Sequence, residues 1–483
     1  MLTSKAKIAY ATGAVPNGIK VDMFTFFLLF YYGNVVGLEP GLAGLAIAIA
    51  LFFDAFTDPI IGSISDRTNS SIGRRHPYLF ASVVPIVVGY IFLFMPRADW
   101  ELTQASLFIW MLSFCIITRF GMTLFDVPHR ALGGEITKDY DERTALFSIR
   151  ELFGWLAGLS NAFLGYYVFF ASTPEYSKGQ LNPDAWAPFG YTGAAVMGLF
   201  IIISSISTLR YGTALSTWEG RITIKDIFQE IRMALTNKTF VIFFFGSFGL
   251  SVAWGLGNTL TLYINTYFWE LSGTQITLFL PMYVVCAFLA FALAPRLVKL
   301  FEKRSIILVS MFLTGIIYPA PLILGYFDLT PPKGTYQLVM FLWIFILVGI
   351  TNNIIGNMIR DSMVADIADE VELITNKRQE GVLFAALGFL QKVNTGFGTA
   401  IAGFVLSIIG FTSTNPSDDQ IFFLISTQGG LVPIMLLIPI VIFYFYNLDR
   451  QKHRLIQEKL NLCLLYTSPS PRDRTRSRMP SSA

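Results

Sequence analysis

Residues 41–65 read GLAGLAIAIALFFDAFTDPIIGSIS, an apolar stretch whose only charges are Asp54 and Asp58. At about 1.5 Å per residue it crosses the roughly 30 Å hydrocarbon core of a bilayer as a single helix. Inside that core each peptide group must find its hydrogen bond within the protein, which a helix achieves along its own length. Two acids in such a helix are costly, so the same stretch that specifies a spanning helix also marks a place where chemistry is expected.

The rest of the chain repeats the pattern. Of 483 residues, 54% are hydrophobic, 15% aromatic and 14% charged, with mean hydropathy +0.57, more apolar surface than a water-soluble domain hides. Apolar segments centre near residues 8–37, 41–65, 77–96, 103–126, 145–171, 187–209, 239–267, 274–295, 304–326, 336–359, 379–410 and 420–447. The fold class is therefore an all-α membrane protein of twelve transmembrane helices. Lys5 and Lys7 precede the first stretch, but it holds Lys20 and Asp22 and runs on to about Leu38, so it reads as a spanning helix and not as a cleaved leader.

Charge fixes the expected orientation. Alternate connections hold Arg67, Arg74, Arg75; Arg130, Lys138, Arg143; Arg210, Arg221, Lys225, Arg232, Lys238; Arg296, Lys299, Lys303, Arg304; and Arg360, Lys377, Arg378. The opposite connections hold Arg97, Lys178 and Lys333. The bias places the first set, and both termini, in the cytoplasm of a multi-pass plasma membrane protein. A formal charge of +3 gives no reason to propose a nucleic-acid partner. Cys115, Cys286 and Cys463 are too scattered for a disulfide framework or a metal site.

Residues 1–210 and 238–447 read as two six-helix halves joined by a polar, amphipathic linker, 211–237. Glu135 to Arg143, before the fifth span, weakly echoes Asp366 to Arg378, before the eleventh, as pseudo-symmetric repeats require. Residues 448–483 read as a cytoplasmic tail, whose Ser/Pro/Arg-rich end from Ser468 reads as disordered or as an assembly artefact.

Asp54 and Asp58 lie a turn apart on one helical face. Two ionised carboxylates there need a cation, a proton or a basic residue between them, and Lys392 in the eleventh span is one such residue. Two readings stay open. In one the pair binds a cation, with Thr57 and Thr123 adding oxygens that suit a hard ion such as sodium. In the other Asp58-Pro59 ends the helix and Asp54 pairs structurally with Lys392. Arg119, Thr123 and Asp126 share one stripe of the fourth span, and each charge needs a partner helix or a polar solute; Asp22 is one candidate partner for Arg119.

The run Asp54 to Gly62, followed by Asp66-Arg67 and Gly73-Arg74-Arg75, resembles the melibiose permease type of transporter. That group is the glycoside-pentoside-hexuronide cation symporter family of the major facilitator superfamily. Tyr31-Tyr32, Val35 to Leu38, Asp126-Val127-Pro128, Glu142-Arg143, Val364 to Ile367 with Asp369, and Lys392 extend the resemblance from residue 31 to about 410. It implies the major facilitator fold, a cation site at Asp54, Asp58 and Thr123, a coupling lysine at Lys392, and sugar contacts at Asp126 and Arg150. Thr57 stands where that family carries asparagine, which leaves sodium or proton as the coupling ion. Gly18 and Arg130 replace the family's galactosyl-holding aspartate and stacking tryptophan, so melibiose is not the expected solute, and Asp22 is the nearest substitute carboxylate.

The expectation is a secondary active transporter that carries a sugar, glycoside or uronide with sodium or a proton by alternating access. The solute would touch Asp22, Arg119, Asp126 and Arg150, and Asp66, Arg67, Arg74, Arg75 and Arg143 would form a cytoplasmic gate. No cofactor beyond the coupling ion is expected, and the chain should work in the lipid bilayer as a monomer. A lysophospholipid or other amphiphile symporter and a non-transporting receptor are the rival readings. An enzyme is not expected, since no metalloprotease motif, nucleophile elbow or phosphate loop is found.

Overall fold

The computed structural model describes residues 3–137, 140–212, 236–375, 380–411 and 415–467. Among these residues the protein is helical, with no strand. The long helices, numbered in chain order, are α1 (Ser4–Val36), α2 (Pro40–Arg67), α3 (His76–Leu93), α4 (Gln104–Ile136), α5 (Ala145–Phe169) and α6 (Pro183–Tyr211) in the first half. The second half comprises α7 (Lys238–Phe268), α8 (Gly273–Leu300), α9 (Lys303–Tyr326), α10 (Tyr336–Ile374), α11 (Glu380–Ile409) and α12 (Asp418–Tyr444). All but α11 are long and apolar enough across their described residues to span a membrane, and α11 contributes the apolar segment Gly396–Ile409. A shorter helix, α13 (Arg450–Thr467), follows within what the sequence showed as a tail. The expected linker lies outside the described residues at 213–235, as does the chain end at 468–483.

Local chemistry sets the boundaries. Gly37 takes φ +88°, which a glycine adopts without strain, and so stops α1 just before Pro40 starts α2. Asn237 caps α7 by accepting from the Phe240 amide at 2.8 Å, and Ser272 and Ser417 form capping boxes with Gln275 and Gln420. Helix α2 runs through Pro59 to Arg67, so Asp58 does not end it; both acids sit inside one continuous helix. Helices α4 and α10 outlast their apolar stretches and carry charged residues to the face of the molecule that bears the basic loops and the first turns of α1, here the basic face.

Large apolar side chains such as Phe288, Ile344, Ile408 and Ile438 are exposed around the periphery, as a lipid-facing surface requires. One buried apolar cluster crosses both halves through Phe27, Phe30, Trp186 and Tyr263; a second, around Phe243, Met311, Ile359 and Phe443, belongs to the second half alone. The far face is where the halves close. Tyr263 Oη donates to the Leu29 carbonyl at 3.1 Å, Gln180 Nε2 donates to Thr266 Oγ1 and the Leu271 carbonyl at 3.1 Å each, and Ser407 Oγ donates to Glu39.

Candidate functional site

The charges of α2 and α4 meet in the interior. Arg119 Nη1 donates to Asp54 Oδ2 at 2.7 Å, and both residues are buried, 3% and 4% exposed. Arg119 also lies over the Phe24 ring at 4.4 Å to its centroid. Its partner is Asp54, not Asp22; Asp22 accepts from Asn161 Nδ2 at 3.1 Å. One turn on, Asp58 is held by two donors, Thr123 Oγ1 at 2.7 Å and Lys392 Nζ from α11. Lys392 Nζ also stands 4.0 Å from Asp54 Oδ2. Thr57 Oγ1 lies 3.5 Å from Thr123 Oγ1. The structure thus gathers Asp54, Asp58, Thr57, Thr123, Arg119 and Lys392 into one cluster. Asp54 Oδ1 is buried in it without a hydrogen-bond partner among the described residues, an oxygen still able to accept a ligand.

A second cluster lies on the first half. Asp126 accepts from Arg130 Nε at 2.7 Å and from the fully buried Arg150, whose Nη1 reaches Glu151 at 2.9 Å. A third stands on the basic face: Arg74 and Arg75 donate to one oxygen of Glu135 at 2.6 and 2.8 Å, and Arg75 also pairs with Asp66 and with Ser65. These partners all belong to the first half. Arg67 is exposed, and the side chain of Arg143 lies outside the described residues.

Between the halves opens a cavity of about 430 Å³. Its wall comes mostly from α7 to α10, with Phe26 and Trp155 from the first half. Asp22, Arg119, Asp126 and Arg150 do not line it, although Phe26 is one turn from Asp22 and Trp155 one turn from Glu151. The sequence reading missed Asn353, Asn357 and Arg360, which do line it; Arg360 entered only as a loop charge. Their spacing of four and three, which puts three polar side chains on one helical face at the end of the apolar run 336–359, was the available signal.

A family profile described as MFS/sugar transport protein matches residues 9–450. The chain belongs to this family. Its relatives place it among the glycoside-cation symporters of the major facilitator superfamily. It is 27% identical to an uncharacterized symporter, YnaJ, of Bacillus subtilis over 93% of this chain and 92% of that one. It is 22% identical to a glucuronide carrier protein homolog of Escherichia coli, covering 94% of each chain. A D-xylose-proton symporter structure superposes with TM-score 0.62 at 14% identity over 92% of this chain and 98% of that one, a likeness of fold. As a member of this family the protein is an integral membrane transporter and not an enzyme.

Proposed function

We propose that this protein is a cation-coupled symporter that moves a small sugar-like solute by alternating access, with Asp54 and Asp58 as its coupling pair. The observation that carries this reading is the internal quartet of Asp54, Asp58, Arg119 and Lys392, in which Lys392 alone comes from the second half. A sodium ion or a proton that engages the carboxylates competes with Arg119 and Lys392. Thr57 and Thr123 add hydroxyl oxygens for a hard ion. Release of Lys392 from Asp58 loosens α11 from α2, so occupancy changes the relative free energy of the two arrangements of the halves.

The solute sits in the central cavity, and Asp22, Asp126 and Arg150 stand where the first half completes it as the halves rock. Arg119 is assigned to the coupling site and not to the solute. The basic face is cytoplasmic, with both termini inside, and Asp66, Arg67, Arg74, Arg75 and Arg143 shape the gate there. The chain works as a monomer with no cofactor besides the coupling ion.

The test is accumulation of solute in proteoliposomes under an imposed sodium or proton gradient. Asp54→Asn and Asp58→Asn are expected to abolish gradient-driven accumulation while exchange of solute down its own gradient persists. Full accumulation by both variants overturns the assignment.

A further inference from the structure

The cavity wall contributed by α10 ends in a polar ladder. Asn357 Nδ2 donates to Asn353 Oδ1 at 3.0 Å, and Arg360 Nη2 donates to Asn357 Oδ1 at 2.7 Å. The three residues stand at intervals of four and three and so share one helical face. Asn258 of α7 lines the same space, as do the aromatic rings of Trp254, Tyr283 and Tyr318.

The guanidinium of Arg360 is the unusual element. It is half-buried, and its Nε is buried without a hydrogen-bond partner. Among the described residues no carboxylate forms a salt bridge with it: Asp361, its chain neighbour, is exposed, and Glu151 of the opposite half is taken up by Arg150 and Arg130. Asp361 attracts the guanidinium but forms no salt bridge with it, so the charge is incompletely compensated, and an anion that arrives at its free edge is favoured. The ladder fixes the orientation of the side chain through Nη2, so little further ordering is needed when a ligand binds. Arginine presents parallel N–H groups that match a carboxylate in a bidentate geometry.

We infer that Arg360 is the anion-recognising residue of a solute site carried by the second half, and that the solute is a carboxylated sugar, a uronate or its glycoside. Resting on the symporter reading, this names the solute class for that central cavity. The three chemistries such a solute needs stand side by side. Asn258, Asn353 and Asn357 supply amide donors and acceptors for hydroxyls, the aromatic rings cover the apolar face of a pyranose, and Arg360 takes the carboxylate. A volume of about 430 Å³ lies in the range of roughly 300–1,000 Å³ usual for small-molecule sites.

The test pairs each uronate with its uncharged counterpart: glucuronate and galacturonate and their methyl glycosides, against glucose, galactose and the matching methyl hexosides. Binding to the purified protein is read by thermal shift and calorimetry. At least one uronate is expected to bind, and to bind more tightly than its neutral partner by on the order of ten- to a hundred-fold, the worth of a charged hydrogen-bonded contact. Arg360→Gln removes the charge and, although two atoms shorter, keeps an amide donor on the same face, and is expected to erase the difference within the pair. Arg360→Lys keeps the charge but not the bidentate geometry, and is expected to retain part of it.

Failure to bind any uronate, neutral partners preferred throughout, or discrimination unchanged in Arg360→Gln overturns the proposal. Counterflow in proteoliposomes separates this from the parent reading. Exchange of a neutral hexoside but of no uronate sinks the anion assignment and leaves a symporter, whereas a uronate that binds but never exchanges sinks the symporter reading and leaves the anion site.

Discussion

At the scale of single residues, the most consequential contact is the buried pair of Arg119 and Asp54. Removing one member strands a charge in a medium that solvates it poorly, while removing both leaves a neutral, hydrogen-bonding pair. Arg119→Gln is therefore expected to lower unfolding stability in detergent by about 3–5 kcal/mol. The double variant Arg119→Gln with Asp54→Asn should recover most of that loss, and a double variant no more stable than the single one would refute the pairing. The charges themselves were legible, because Asp54, Asp58, Arg119 and Lys392 stand out against apolar surroundings in any reading. Their partners were not. Whether Arg119 faces Asp54 or Asp22 depends on how α4 is rotated against α1 and α2, which packing decides and spacing along one helix does not record.

Among elements, the seam of α2 and α11 closes the far face because both helices carry glycine where they cross. A side chain at Gly403 would put its Cβ 2.3 Å from the Pro40 carbonyl oxygen, and one at Gly44 would meet the Ala400 carbonyl at 3.0 Å. Gly403→Leu is accordingly expected to hold the far ends apart, read as a longer distance between spin labels near Glu39 and Ser407; an unchanged distance would show that the seam does not govern closure. The twelve spans were readable from hydropathy alone. Their basic-face ends were not: α4 reaches Ile136 and α10 reaches Ile374, well past the apolar stretches that stop near 126 and 359. Hydropathy registers only what lies in hydrocarbon, whereas ion pairs of Glu135 with Arg74 and of Asp366 with Lys303 accompany the polar extensions. Helix α13 escaped notice for a related reason. It docks through charged contacts, His453 with Asp369 and Lys452 with Glu370, and through Ile456 and Leu460, too few apolar residues to register as a span.

For the molecule as a whole, the faint echo between Glu135 and Asp366 becomes a structural correspondence. Each acid stands at the basic end of the fourth helix of its half and takes its cation from the start of that half's third helix, Arg74 and Arg75 just before α3 and Lys303 as the first residue of α9. Because the two clamps share no residue, the stability losses of Glu135→Gln and Asp366→Asn should add within about 0.5 kcal/mol in a denaturation series, and a larger departure would mean that the basic ends of the halves are coupled. The interior quartet has a different whole-molecule consequence. Two carboxylates face one guanidinium and one ammonium, so the formal charges of the quartet cancel. A monovalent cation that displaces Lys392 from Asp58 while both bases keep their protons leaves the loaded carrier one positive charge richer before the solute is counted. Reorientation with a neutral cargo would then carry current, and the membrane potential would drive it with up to about 2.3 kcal/mol per 100 mV. A cargo carrying one negative charge cancels that current and makes the loaded step indifferent to voltage. Transient currents on a supported bilayer would therefore report the sign of the cargo.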